Sequence, residues 1–221
     1  PPAVLHPQTS LLCLENTHNF AGGACLSTEE TRALANTARS HGLKIHLDGA
    51  RIFNSAVGQG VSLKDLTAEV DSVTVCLTKG LGCPVGALVL GRDDFVDDAR
   101  RWRQAAGGGM RQAGVIAAAG IVALDTMVDR LSEDNRRARM LAEGLANVEG
   151  LQVDLERVQT NIVAVEVTAS NCSGMVCQAE LEKHGVRTLL RSSSVIRLVT
   201  HRHICDVDVE SAVEAFRRVM G

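Results

Sequence analysis

The sequence predicts an α/β fold, a mostly parallel sheet with helices on both faces, followed by a smaller α+β unit. Three observations carry this prediction. Short apolar runs alternate with helix-length segments through the first half of the chain. The runs are rich in Leu, Val and Ile, as expected of strands covered on both sides. The composition, 45% hydrophobic and 22% charged over 221 residues, is that of a globular chain able to bury a core.

LLCLE at 11–15 reads as the first strand, a helix follows near 28–41, and LKIHLD at 43–48 reads as the second strand. Ser27 and Glu30 stand at capping-box spacing, and Gly42 sits where a helix end favours a left-handed residue. A short helix around 62–69 leads to the strand VTVCLT at 73–78; ALVLG at 87–91 is a further strand, and a helix follows near 93–105. After the glycines at 107–109 comes a largely apolar helix over 112–131, then SEDNRRARMLAEGLANV with Ser132 as its cap. Composition shifts there, which predicts a large domain over 1–126 and a small one over 127–221. The small domain reads as LQVDL, NIVAVEV, a helix at 174–184, VRTLL, VIRLV and a final amphipathic helix at 206–219.

A net charge of −3 and the lack of any Lys/Arg-rich run argue against nucleic acid as a partner. Four Phe, one Trp and no Tyr leave few stacking platforms and exclude phenol chemistry within these residues. The seven cysteines, Cys13, Cys25, Cys76, Cys83, Cys172, Cys177 and Cys205, are odd in number and form no CxxC, which predicts reduced thiols and a cytoplasmic setting, with mitochondria as the alternative. No apolar run reaches the roughly 18 residues of a membrane span. The opening Pro-Pro, without methionine, predicts that the sequence starts inside a larger protein.

The chemistry centres on SVTVCLTKGLGCPVG at 72–86. A lysine at the end of a buried strand either snorkels to water along its apolar stem or, if kept dry, presents the neutral amine that attacks a carbonyl. Asp48 ends the preceding strand, and ligands of open α/β sheets bind beyond such carboxyl ends. An acid and a lysine on one rim are the equipment for a cationic ring nitrogen and a carbonyl, as in a pyridoxal phosphate enzyme. Taken alone, Asp48 also fits a strand-end residue making local turn bonds.

With LENTHN at 14–19, HLDGARIFN at 46–54, the stretch around Lys79, GGGMRQAG at 107–114 and IRLVTH at 196–201 in one order, the chain resembles the low-specificity L-threonine aldolases of the fold-type I, aspartate-aminotransferase-like superfamily. A departure is GGACLS at 22–27, where a glycine pair leading into a Leu-Pro helix start is expected. The resemblance implies pyridoxal 5'-phosphate bound covalently through Lys79, with Asp48 on the pyridinium nitrogen, Arg51 near the phenolic oxygen and the substrate, and Thr78 aiding phosphate or lysine positioning. It also implies Arg197 as the arginine of the substrate carboxylate and Arg111 as a phosphate ligand, including that of a neighbouring subunit. His6 corresponds loosely to a histidine near the substrate hydroxyl; His18 and Asn16 order the rim loop. The implied reaction cleaves L-threonine or L-allo-threonine to glycine and acetaldehyde at the Cα–Cβ bond, in tetramers built from dimers. A ring-stacking histidine and a phosphate loop belong in this family to an N-terminal segment outside these residues, so the fragment alone is expected to be inactive.

Rival readings are a racemase or β-eliminating lyase on the same scaffold, a non-catalytic homologue, and a metal module at HRHIC, where His201, His203 and Cys205 would share one strand face.

Overall fold

The computed structural model describes residues 7–221. They fall into two compact units, one running through Asn16 and over Leu26–Asp125, the other made of Thr17–Cys25 and Thr126–Gly221.

The first unit is built on a four-stranded sheet of order β1 (Leu11–Glu15), β2 (Lys44–Asp48), β3 (Ser72–Cys76), β4 (Ala87–Gly91). The first three strands are parallel, with Asp48 level with Glu15 on one side and Thr74 on the other, and β4 is antiparallel to β3. Helix α1 (Thr28–Ser40) starts at a capping box in which the Ser27 hydroxyl accepts from the Glu30 amide and the Glu30 carboxylate accepts from the Ser27 amide. Its Ala35 and Ala38 pack with Ile45, while Leu12, Leu14 and Leu43 close around them. Small residues on the helix let it approach the sheet closely.

Helix α2 (Ile52–Gln59) has no counterpart in the sequence reading. Its start, Ile52 and Phe53, is buried, as are Asn54 and Ser55. The short α3 (Leu63–Leu66) follows, and after β4 come α4 (Asp93–Ala105) and α5 (Gly114–Thr126). Every residue of β4 is exposed, and α5 shows Val115, Ile121 and Val122 to solvent, 80%, 62% and 60% exposed.

The second unit carries a sheet of order β5 (Leu151–Gln152), β6 (Ile162–Val167), β8 (Val195–Val199), β7 (Leu189–Leu190), all antiparallel. Helices α6 (Leu131–Ala146), α7 (Gly174–Lys183) and α8 (Asp206–Met220) bury Leu141, Leu145, Cys177, Leu181 and Phe216 against Val163, Val165 and Ile196. Ser132 does not cap α6. The helix opens two residues earlier, with Arg130 at the cap position; the Arg130 guanidinium grips the fully buried Asp134 carboxylate at 2.6 and 3.2 Å, and the Ser132 hydroxyl donates to the Asp129 carbonyl. An acid buried this deeply persists only when paired.

The HRHIC stretch is a turn beyond β8, not a strand, so the one-face argument fails. The His201 and His203 rings meet edge to face, and the Cys205 amide donates to the Asp208 carboxylate at the start of α8. Among the described residues no group of three or more His, Cys, Asp or Glu is placed to hold a metal ion. None of their helices is long and apolar enough to cross a membrane.

Candidate active site

Parallel pairing fixes where the first unit presents its chemistry. Asp48 is the last residue of β2 and lies level with Thr74 of β3; Lys79 follows Thr74 by five residues, on the turn that leaves β3. Both therefore sit at the carboxyl edge of neighbouring strands, the rim where such sheets bind ligands.

Asp48 is positioned from three sides. Its carboxylate Oδ1 accepts from the Ala50 amide at 2.9 Å, its backbone carbonyl accepts from the Asn16 amide at 2.9 Å, and the Gly49 amide donates to the Thr74 carbonyl at 2.8 Å. Gly49 is required for that approach, because a Cβ there would stand 2.9 Å from the Thr74 oxygen and 3.2 Å from Ile52 and Val73. Asn16 is buried, and its side chain bonds Leu26 through both its atoms while accepting from the Ser55 hydroxyl of α2. Arg51 stands three residues beyond Asp48 at the N-terminus of α2. These contacts fix the Asp48 backbone and leave its second carboxylate oxygen without a hydrogen bond among the described residues.

The loop after β3 is closed by the Leu77 amide on the Gly86 carbonyl and the Cys83 amide on the Leu77 carbonyl, with Lys79 at a tight turn completed by the Gly82 amide. Lys79 and Thr78 are exposed. Of the two readings of this lysine, the dry one is not met: the turn lifts Lys79 beyond the strand, and the described residues leave its side chain exposed. At Cys76 burial pushes the thiol upward, but hydrogen bonds with Thr78 and the charge of Lys79 outweigh it, so the thiol lies below its usual range. Its Sγ meets the Thr78 hydroxyl at 3.2 Å.

The other predicted residues lie elsewhere. Arg111 is exposed on the turn before α5 and makes no hydrogen bond or ion pair among the described residues. His6 lies outside the described residues. His18 accepts from the Ala21 amide and starts a helical turn within Thr17–Cys25.

Arg197 belongs to the second unit, on β8 between Leu189 of β7 and Ala164 of β6. Its Nη2 donates to the Asn19 side-chain oxygen at 2.8 Å, and it lines a cleft of about 430 Å³ with Thr188, Leu189 and Val199. Burial, then the charge of Arg191, lowers its pKa from the usual guanidinium value. Asn19, Arg191 and Gly49 escaped the sequence reading. The first two make contacts 178 and 171 residues along the chain, a separation without local signature.

This mostly parallel α/β architecture is shared with solved pyridoxal-enzyme structures. The solved PLP-dependent aminotransferase of Streptococcus suis shares it, with a TM-score of 0.74 at 14% identity over 98% of this chain and 58% of its own. Residues 2–170 match the beta-eliminating lyase family, and the chain belongs to it. The chain is 40% identical over 219 residues to low-specificity L-threonine aldolase 1 of Arabidopsis thaliana, covering 99% of this chain and 61% of that protein. It is 42% identical over 214 residues to the low specificity L-threonine aldolase of Escherichia coli K12, covering 97% and 60%. The chain thus spans about three-fifths of the length of these relatives.

Proposed function

We propose that the protein is a pyridoxal phosphate-dependent aldolase that cleaves β-hydroxy-α-amino acids such as L-threonine and L-allo-threonine to glycine and an aldehyde. The observation that carries this reading is the register that sets Asp48 and Lys79 at the carboxyl ends of adjoining strands. The aldolases to which the chain is 40% and 42% identical support the choice of reaction.

The rim fits the cofactor. An aspartate held by one backbone amide, with an oxygen to spare, suits a protonated ring nitrogen, and an accessible primary amine beyond the end of the adjoining strand suits an aldehyde. Lys79 would hold the group, Asp48 would keep the proton on its nitrogen, and Arg51 and Thr78 stand beside them. When bound, the group supplies a sink for the electron pair left at Cα as the Cα–Cβ bond breaks. Arg197 would grip the substrate carboxylate through its planar fork and so choose which Cα bond is presented for cleavage. Association of copies through the apolar surface of α5 belongs to the same reading.

The test uses the full-length protein. It should show a visible absorption band with pyridoxal phosphate, a borohydride-fixed adduct mapping to Lys79, and glycine formed from L-allo-threonine. Asp48→Ala should lower turnover on the order of 10²–10³-fold, as when one preorganised electrostatic partner is lost. An adduct at another lysine would overturn the site. The family match itself keeps β-elimination as a second reading, and a 2-keto acid with ammonia in place of glycine would establish it.

A further inference from the structure

The face of the second sheet that carries Arg197 holds another arginine. Leu189 pairs with Arg197, and two residues on the Arg191 amide donates to the Val195 carbonyl at 2.8 Å. Strand alternation then sets Leu189, Arg191, Val195 and Arg197 on one face, with the two arginines as diagonal neighbours. The segment Thr17–Cys25 lies over this face. A Cβ on Gly22 would be 3.8 Å from Ala164, the residue beside Arg197, and the Thr160 hydroxyl donates to the Gly23 carbonyl at 2.7 Å.

That segment holds both guanidiniums by neutral oxygens. Asn19 accepts from Arg197, the Phe20 carbonyl accepts from Arg191, and the Phe20 ring sits 5.9 Å from the Arg191 Cζ. Among the described residues neither arginine is paired with a carboxylate. The Nε donors of both are buried without an acceptor. Two half-buried cations, close enough to repel and oriented by groups that leave their charge intact, form an arrangement completed by an anion.

We propose that Arg191 joins Arg197 in a paired-guanidinium seat for the α-carboxylate of the amino acid substrate, the accessible N–H groups of the two forks sharing its lone-pair directions. A carboxylate offers about four such directions, enough for both forks. The identity of the anion rests on the function proposed above. The pairing of the arginines rests on the sheet register alone. Asn19 and Phe20 are positioning residues that aim the two forks.

The experiment is calorimetric titration of the full-length, cofactor-loaded protein with glycine, which has the carboxylate, and glycinamide, which lacks it. Arg191→Lys keeps the charge and stem but loses the fork, so it decides the matter if Arg191→Ala folds poorly. Glycine affinity should fall roughly 10–100-fold in Arg191→Lys and in Arg197→Lys, as expected for losing a charge-assisted hydrogen bond. Glycinamide affinity should stay within twofold, and in turnover KM for L-allo-threonine should rise with kcat little changed. Undiminished glycine binding in both Arg191 variants, with loss in Arg197→Lys, overturns the proposal and leaves the aldolase reading standing. Equal weakening of glycine and glycinamide marks Arg191 as merely structural and overturns it too. Absence of glycine binding in the parent protein removes the amino acid reading and this seat with it.

Discussion

Single residues set the geometry of the rim. Gly49 is the clearest, because the Asp48 backbone reaches β3 only where no side chain intervenes. Gly49→Ala should cost about 1–3 kcal/mol, as overpacking does, measurable by urea denaturation, and should weaken pyridoxal phosphate binding by displacing Asp48. A second residue couples stability to pH. Arg136 and Arg137 both bond Asp206, at 2.6 and 2.8 Å, and hold its carboxyl below the ordinary aspartate value of 3.8. A carboxyl lowered in the folded state contributes stability above its unfolded pKa and loses it as pH falls through the folded value. Asp206→Asn should therefore flatten the acid limb of the stability curve below about pH 4, while a midpoint unchanged at every pH would show the pair to be inert. Asp48 and Lys79 were visible as candidates in the sequence because each stands at the end of an apolar run. Asn19 and Arg191 were not, because they act across the chain.

At the level of elements, local signals were read where local chemistry decides. The Ser27–Glu30 box is written in adjacent letters and forms as expected. Ser27→Ala should lower stability by about 1 kcal/mol in denaturant titrations, with Gly at the same position costing only a few tenths. Helix α2 went unread for the opposite reason: Asn54 and Ser55 are polar yet buried, and the Ser55 hydroxyl bonds Asn16 and receives Gln59, so tertiary bonding rather than an apolar stripe makes it a helix. The strands expected from LQVDL and VRTLL shrink to two residues each. Antiparallel partners cover them only briefly, and Asp154 already caps a helical turn at Leu155–Arg157. Predicting Ser132 as a cap failed because serine is a common cap but a buried ion pair is the stronger local constraint.

For the whole molecule, the exposed apolar residues concentrate on β4 and α5 of the first unit, with Leu88, Val89 and Leu90 on an edge strand and Ile121 and Val122 on the helix. Surfaces of this kind join chains or aggregate. Sedimentation of the full-length protein should show concentration-dependent association that Ile121→Lys with Val122→Lys abolishes; a monomer in both would sink that expectation. The first unit ends within α5, and nothing local tells that Thr17–Cys25 belongs with residues far downstream. That nine-residue detour has a practical consequence. Expressed from Thr126 onward, the C-terminal half would lose the Gly23 oxygen that Thr160 bonds and the amide that steadies Arg197. The lobe is therefore not portable as one continuous gene segment, and grafting it onto another scaffold would require carrying a distant loop along with it.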